Sequence, residues 1–349
     1  MVRRVFFITT SILLFIFSLK LVLEGTDDLN KELQDTLASG PLGCLGLGWL
    51  LASVVLSGSP VAASALVLVR DGLLSAQESF AMIVGSRLGA SFVVLALGAL
   101  YDLRFSGKRG GAYVGALAFF VTATIYLPAL GIGLLTIETG VIDHIGVRPP
   151  DVFVDVLDIA FGPVVAACKN LLVHLDIPVA WLVLVGVILI VVAFQVFDLA
   201  LPKIDPLGGK LGQMATTIYR PSIGFLFGML VTCITLSVSI SLGLLVPLTV
   251  RGIIRRENLT PYILGANITT FSDTLAISLL VDHASAFAIV LCSIAIVTAI
   301  SLPIVFFFYR PYERIIDSMS SLVVSRRWVL GVFLLGLLLL PLTLFLLSV

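Results

Sequence analysis

Long apolar runs make up most of the chain, and short polar stretches separate them. A helix of about 20 apolar residues crosses the roughly 30 Å hydrocarbon core of a bilayer. The runs are continuous rather than alternating, which excludes a transmembrane β-barrel. The pattern predicts an all-α polytopic membrane protein with spans over 5–23, 79–100, 112–135, 178–201, 261–280, 284–308 and 328–347.

Two further apolar segments, 42–69 and 223–250, carry small polar residues at their centres. The first contains Ser57, Gly58, Ser59 and Pro60. A shift of 180 residues superimposes small residues of the two halves: Gly48 on Gly228, Ser57 on Ser237, Ser59 on Ser239, Gly72 on Gly252 and Gly85 on Gly265. This register predicts two internal repeats, each with an interrupted helix.

The distribution of Lys and Arg favours one topology. If the N-terminus is cytoplasmic and both interrupted segments are re-entrant hairpins, more basic residues lie in cytoplasmic loops than if both segments cross fully. The hairpins then enter from opposite sides, as inverted-topology repeats require. We expect a first half, 1–177, with an extracytoplasmic loop over 136–177, and a second half, 178–349, with a cytoplasmic basic loop over 310–327. Each hairpin precedes a broken or Gly-rich transmembrane helix.

Composition and charge narrow the class of protein further. Charged residues make up 12% of the chain and apolar ones 59%, against about a quarter charged in soluble domains. The net charge of zero gives no indication of a nucleic-acid partner. Scattered cysteines argue against disulfide or zinc frameworks. Neither Ser57 nor Ser237 has a His or Lys at a recognisable position for catalysis. We therefore expect an integral protein of the plasma membrane, not an enzyme, with no cofactor and no resident metal.

Polar groups inside the apolar segments are the candidate binding residues. A broken helix frees backbone groups that hydrocarbon does not tolerate unless protein or water satisfies them. Helix N-termini favour anions, and exposed carbonyls favour cations. Arg87 and Asp273 add ionised groups within predicted spans, which indicates a partner or a hydrated cavity. Two other interpretations stay open: the small residues serve helix packing, and Arg87 extends to the membrane surface.

The tips of the two predicted hairpins have the sequences Leu56-Ser57-Gly58-Ser59 and Leu236-Ser237-Val238-Ser239. They are followed by the segments 85–91 and 265–270, and the second of these reads GANITT. These residues resemble the sodium-dependent phosphate cotransporter family, the type II Na/Pi group. That family has inverted repeats with Gln-Ser-Ser-Ser-like tips and Gly-Ala-Asn-Ile-Gly-Thr segments. Here leucines replace both glutamines, and Arg87 stands at an asparagine position, although Asn267 is retained. The chain thus resembles a divergent member.

The resemblance implies a secondary active transporter, a symporter that carries inorganic phosphate or a similar small anion with Na⁺ by alternating access. The anion would lie between the two hairpin tips. The implied substrate-binding residues are Ser57, Gly58, Ser59, Arg87, Ser237, Ser239 and Asn267. The implied cation-binding residues are Asn267, Thr269, Thr270 and Asp273.

The departures from the family suggest one hypothesis and leave alternatives open. A guanidinium can bind phosphate bidentately and can also take the place of a sodium ion. We therefore expect Arg87 to replace a cation site of the first half, while the second half retains one. Because both glutamines are lost, transport of another anion or an organic solute remains an alternative. A sodium-independent channel is another.

Overall fold

The computed structural model describes residues 40–104, 110–140, 181–200, 221–235, 237–250, 254–281 and 283–348, with isolated positions between 6 and 21 and between 163 and 174. Regular secondary structure in these ranges is helical. Three sequence predictions fall wholly or largely outside the described residues: the loop 136–177, Leu236 and Gly252. The predicted span 5–23 is described only at isolated positions.

Twelve α-helices are described in these ranges. They are α1 Gly40–Val55, α2 Ser59–Arg70, α3 Ala76–Arg104, α4 Gly110–Glu138, α5 Trp181–Ala200, α6 Pro221–Thr235, α7 Val238–Val250, α8 Leu259–Thr269, α9 Phe271–Leu280, α10 Ala284–Phe306, α11 Tyr309–Ser325 and α12 Arg327–Leu346. A 3₁₀ turn, Arg256–Asn258, leads into α8. Helix α5 lies at the predicted span 178–201.

Four helices among the described residues are long and apolar enough to cross a membrane: α3, α4, α10 and α12. They lie at four of the predicted spans, 79–100, 112–135, 284–308 and 328–347. The all-helical structure and these four helices are those of a membrane protein. Helix α3 is almost entirely buried, between α1 and α4, whereas α12 is mostly exposed and packs on α1. The core is therefore organised around α3.

Both interrupted segments contain a break between helices. The first break separates α1 from α2 at Leu56, Ser57 and Gly58, and Leu56 has a left-handed backbone (φ 60°). Such a φ is uncommon for a residue with a side chain. Pro60 lies in the first turn of α2, where its missing N–H is not needed. The second break separates α6 from α7 and includes Ser237.

Two glycines fix the close approach of α1 to α3. A Cβ added at Gly48 would lie 2.2 Å from the carbonyl oxygen of Met82. One added at Gly85 would lie 2.1 Å from the carbonyl oxygen of Leu45. Any larger residue at either position would push the helices apart, because small residues are what allow helix backbones to meet in membrane proteins.

Helices α6 and α8 make the same pair of contacts 180 residues further along the chain. A Cβ at Gly228 would lie 2.0 Å from the carbonyl oxygen of Tyr262. One at Gly265 would lie 2.0 Å from the carbonyl oxygen of Phe225. Each glycine and each carbonyl is displaced by the same 180 positions, so the sequence register is also a register of contacts.

A main-chain hydrogen bond follows the same register. The N–H of Leu74 donates to the carbonyl of Leu68 at 3.1 Å, just beyond α2. The N–H of Ile254 donates to the carbonyl of Leu248 at 3.3 Å, just beyond α7. The same hydrogen bond thus follows the second helix of each interrupted segment, α2 and α7.

The predicted span 261–280 is divided into two helices, α8 and α9, which meet at Thr270. Thr270 keeps helical dihedral angles (φ −59°, ψ −17°), so the interruption is local. Threonines compete for main-chain hydrogen bonds through their hydroxyls, which favours such interruptions. Helix α3, at the corresponding place in the first half, is Gly-rich and continuous.

The prediction of a basic loop over 310–327 is wrong, because most of this stretch is the helix α11. Its charged residues recur at helical spacing and form one face: Arg310, Glu313, Arg314 and Asp317. Ile315, Met319 and Leu322 are exposed on the opposite face. Such a helix, joining two candidate spans, has the pattern of an interfacial membrane helix. The exposed aromatic residues that flank it fit the same position: Phe306, Phe307, Phe308 and Trp328.

Alanine substitutions test the glycine contacts. Gly85→Ala and Gly265→Ala should each lower stability by about 1–3 kcal/mol, because each new methyl overlaps a carbonyl of the neighbouring helix. Gly331→Ala in α12 is the matched control, since a methyl group at this position would have no neighbouring atom within 4 Å and alanine favours helix. Thermal unfolding in detergent measures all three. Equal unfolding midpoints for the three variants would contradict the close approach.

Candidate functional site

Two side chains of the types that are charged at neutral pH are buried within predicted spans of the described core. Arg87 on α3 is 2% exposed, and Asp273 on α9 is 7% exposed. Burying an ionised group is expensive unless it is paired or hydrogen-bonded. The partners of these two residues therefore define the candidate site.

The Arg87 guanidinium reaches from the first half of the chain to the junction of α8 and α9. Its Nη1 donates to the hydroxyl of Thr270 at 3.2 Å, and its Nη2 donates to the hydroxyl of Thr274 at 2.6 Å. The guanidinium carbon lies 4.7 Å from the centre of the Phe271 ring, within the range of a cation–π interaction. Two hydroxyls and one ring of the second half thus hold the cation of the first half.

Asp273 is linked to Arg87 through Thr274. Its Oδ1 accepts hydrogen bonds from the Thr274 N–H at 2.5 Å and from the Thr274 hydroxyl at 2.9 Å. The Thr274 hydroxyl accepts from the guanidinium and donates to the carboxylate, a combination that a hydroxyl allows. Hydrogen bonds in such a chain polarise one another and strengthen in a low-dielectric interior.

This pair is incompletely satisfied. Nε of Arg87 and Oδ2 of Asp273 are buried and have no hydrogen-bond partner in the described protein. A guanidinium also carries more N–H donors than its two hydrogen bonds use. Leaving a buried polar group unpaired costs about 1–3 kcal/mol, and more when it is charged. The site therefore has both a free donor for an anion and a free carboxylate oxygen for a cation.

Asn267 is directed toward α4. Its side-chain amide exchanges hydrogen bonds with the Thr122 hydroxyl at 3.2 and 3.3 Å, and the main-chain carbonyl of Asn267 accepts from the Tyr126 hydroxyl at 2.7 Å. Thr122 and Tyr126 were not among the predicted residues. Their spacing of four residues in an apolar span was the available signal, since it places both on one face of a helix.

The first break lies against α3. A Cβ at Gly58 would be 2.7 Å from the carbonyl oxygen of Ser86, the residue before Arg87. Ser59 is buried and Ser57 is half-buried. Neither of these two hydroxyls is hydrogen-bonded within the described part of the chain. The first tip therefore offers two free hydroxyls next to the helix that carries Arg87.

The second break is more strongly hydrogen-bonded. The Ser237 hydroxyl accepts from the Ile240 N–H at 3.4 Å, a weak cap at the start of α7. Ser239 is half-buried, and its hydroxyl has no partner among the described residues. One turn further on, the Ser241 hydroxyl is 2.8 Å from the Tyr262 hydroxyl and ties α7 to α8.

The predicted cation ligands separate into two groups. Thr270 and Asp273 lie around the Arg87 guanidinium. Asn267 bonds to α4 instead, and the Thr269 hydroxyl donates to main-chain carbonyls of α6 and α8 at 3.0 and 3.4 Å. Thr274, which the sequence prediction omitted, joins the first group. The described residues contain no cluster of three or more His, Cys, Asp or Glu side chains able to hold a metal.

A cavity of about 770 Å³ lies elsewhere, beside the 3₁₀ turn and α11. The Arg256 guanidinium stacks on the Tyr113 ring at 4.5 Å, and Arg255, Arg256 and Glu257 are exposed. Exposed charges remain hydrated and bind ions weakly. The buried pair of Arg87 and Asp273 is therefore the stronger candidate site.

The fold and this site define a class: a helical membrane protein with a buried, incompletely satisfied charge pair between the two halves of its chain. No protein-family model, curated protein or solved structure matches the chain. The resemblance to sodium-dependent phosphate cotransporters thus stays a prediction from the residues quoted above.

A double-mutant cycle tests the linkage between the two charges. Arg87→Met and Asp273→Asn should each cost about 3 kcal/mol, because each leaves the other charge buried without its partner. The double variant should lose at least about 1 kcal/mol less than the sum. The free energy of unfolding in detergent is the measurement, with Arg314→Met on exposed α11 as the control. Additive losses would mean that Thr274 does not couple the two charges.

Proposed function

We propose that the protein is a secondary active transporter that carries a small anion, inorganic phosphate by resemblance, together with Na⁺. The observation that carries this proposal is the Arg87 guanidinium, buried in the core of a membrane protein with an unpartnered N–H donor. Ionisable residues inside a membrane protein are rare and usually mark the path of a substrate or ion.

An alternating-access mechanism is supported by the way the two halves pack. Helix α2 contacts α9 and α10 of the second half as well as α3 of its own half, and α7 contacts mainly α3 and α4 of the first half. The second helix of each interrupted segment thus packs in part on the other half of the chain. Together with the contacts repeated at 180 residues, this exchange favours inverted repeats in which 42–69 and 223–250 are re-entrant hairpins. Rocking of one repeat against the other would then expose the site to each side in turn.

The proposed anion site combines three kinds of donor. The guanidinium of Arg87 supplies charge and a fork of N–H groups that matches a tetrahedral oxyanion. The free hydroxyls of Ser57 and Ser59 lie at the start of α2, where the helix dipole favours negative charge. Ser239 supplies a further free hydroxyl at the start of α7. In this proposal the anion lies between the two breaks and makes its strongest contact with Arg87.

A second candidate, movement of the same anion without sodium, is favoured by one contact. The Arg87 guanidinium is hydrogen-bonded to Thr270, which was predicted to bind the coupling cation. If this contact persists through transport, the site needs no Na⁺ at that position. Such a protein would act as a sodium-independent carrier or channel.

Uptake into proteoliposomes discriminates these functions. The purified full chain should accumulate labelled phosphate under an inward Na⁺ gradient and less under an equal K⁺ gradient. Equal uptake in both salts would replace the sodium-coupled proposal by the second candidate. Absence of uptake in both would remove phosphate as the substrate.

Substitutions of Arg87 identify its part in that uptake. Arg87→Met should weaken apparent phosphate affinity by roughly ten- to a hundredfold, because a charge-assisted hydrogen bond is lost. Arg87→Lys should retain part of the affinity, since lysine keeps the charge without the bidentate fork. Arg314→Met is the matched control on the exposed face of α11. Affinity unchanged in Arg87→Met would exclude Arg87 from the anion site.

A further inference from the structure

We propose that Arg87 is a built-in cation: its guanidinium occupies a monovalent-cation site formed by Thr270, Asp273 and Thr274 at the junction of α8 and α9. Removing the guanidinium should turn this junction into a Na⁺ site. What this site means for the coupling of Na⁺ to transport rests on the proposed function. The ion binding itself is independent of transport.

The ligand chemistry around the guanidinium is that of a small hard cation. Its two hydrogen-bond acceptors are the hydroxyl oxygens of Thr270 and Thr274, at 3.2 and 2.6 Å. The carboxylate of Asp273 follows directly behind Thr274 and has one oxygen, Oδ2, without a partner. Hydroxyl, carbonyl and carboxylate oxygens are the ligands that hard cations prefer.

Charge balance explains why the site needs a cation. Asp273 is 7% exposed, and the described structure gives it no hydrogen bond from any basic side chain; only Thr274 connects it to Arg87. A carboxylate in such surroundings must be neutralised by a nearby positive charge or by a proton. In the native chain Arg87 supplies that charge. Without Arg87, a bound cation is the alternative to protonation.

Space for an ion is also available once Arg87 is shortened. Arg87 is among the largest fully buried side chains of the described structure. Replacing it by asparagine removes the guanidinium and leaves a polar void, which water and a partly hydrated cation can fill. Asparagine also adds a carbonyl oxygen as a further ligand. Methionine removes the same charge but keeps most of the volume and adds no such oxygen.

At this junction the proposal predicts that the variant, and not the native protein, depends on Na⁺. The native chain should be indifferent to Na⁺ here, because its cation is covalently attached. The variant should depend on Na⁺ for stability. Any sodium that the native protein transports would have to bind elsewhere, for instance nearer Asn267 and Thr269.

The test is a sodium titration of the full chain in detergent, read as the unfolding midpoint at constant ionic strength with choline as the replacement ion. Arg87→Asn should unfold below the native protein in choline and recover by a few degrees, saturably, as Na⁺ rises to about 100-fold above its dissociation constant. Native protein and Arg87→Lys should respond less than Arg87→Asn, because only a transported sodium bound elsewhere could stabilise them. The double variant Arg87→Asn/Asp273→Asn should respond no more than the native protein, because it lacks the carboxylate.

Three results would overturn the proposal. One is an equal sodium response in the native protein and in Arg87→Asn. The second is a double variant that responds to Na⁺ as strongly as Arg87→Asn. The third is an Arg87→Asn protein that ignores Na⁺ and is stabilised only by lowering the pH, which would mean that Asp273 takes a proton instead.

The titration remains decisive if the first variant is too unstable to purify. Arg87→Gln retains more side-chain volume and undergoes the same titration with the same outcomes. The readout needs no transport activity. If the native protein fails to take up phosphate but Arg87→Asn is stabilised by Na⁺, phosphate is excluded as the substrate. The proposal that Arg87 is a built-in cation then still stands.

Discussion

The cost of burying an arginine inside a membrane protein is the constraint on which the centre of this structure depends. Arg87 lies on α3, the most enclosed of the four long apolar helices, and no water-facing escape is available to it at 2% exposure. Its charge is accommodated by hydroxyls, a ring and, one step away, a carboxylate, all from the α8–α9 junction. The two halves of the chain are thus linked by buried charges in the core.

The features that could be predicted from the sequence are those with a local cause. Ser, Gly and Pro in an apolar run destabilise a continuous helix, so the breaks near Ser57 and Ser237 were visible in advance. The register of Gly85 and Gly265 was equally visible, because close contacts between backbones require the smallest residue. Burial of Arg87 and Asp273 was suggested by their position inside apolar spans.

The features that were missed depend on tertiary packing. Thr274 acts only because α9 brings it between Arg87 and Asp273, and a single threonine in a helix gives no sign of this. The direction of Asn267 toward α4 likewise follows from the neighbour it meets rather than from its own segment. Helix α11 was mistaken for a loop because its charges outweighed their helical spacing.

The glycine–carbonyl contacts also determine which parts of the molecule can move independently. Because no methyl group fits between α1 and α3, or between α6 and α8, we expect the two helices of each pair to move together. Helices α2 and α7 take no part in these two pairs of glycine contacts, and Gly243 in α7 has open space around it. We therefore expect any change of angle between α1 and α2 to involve the short break that contains Leu56, whose backbone is left-handed.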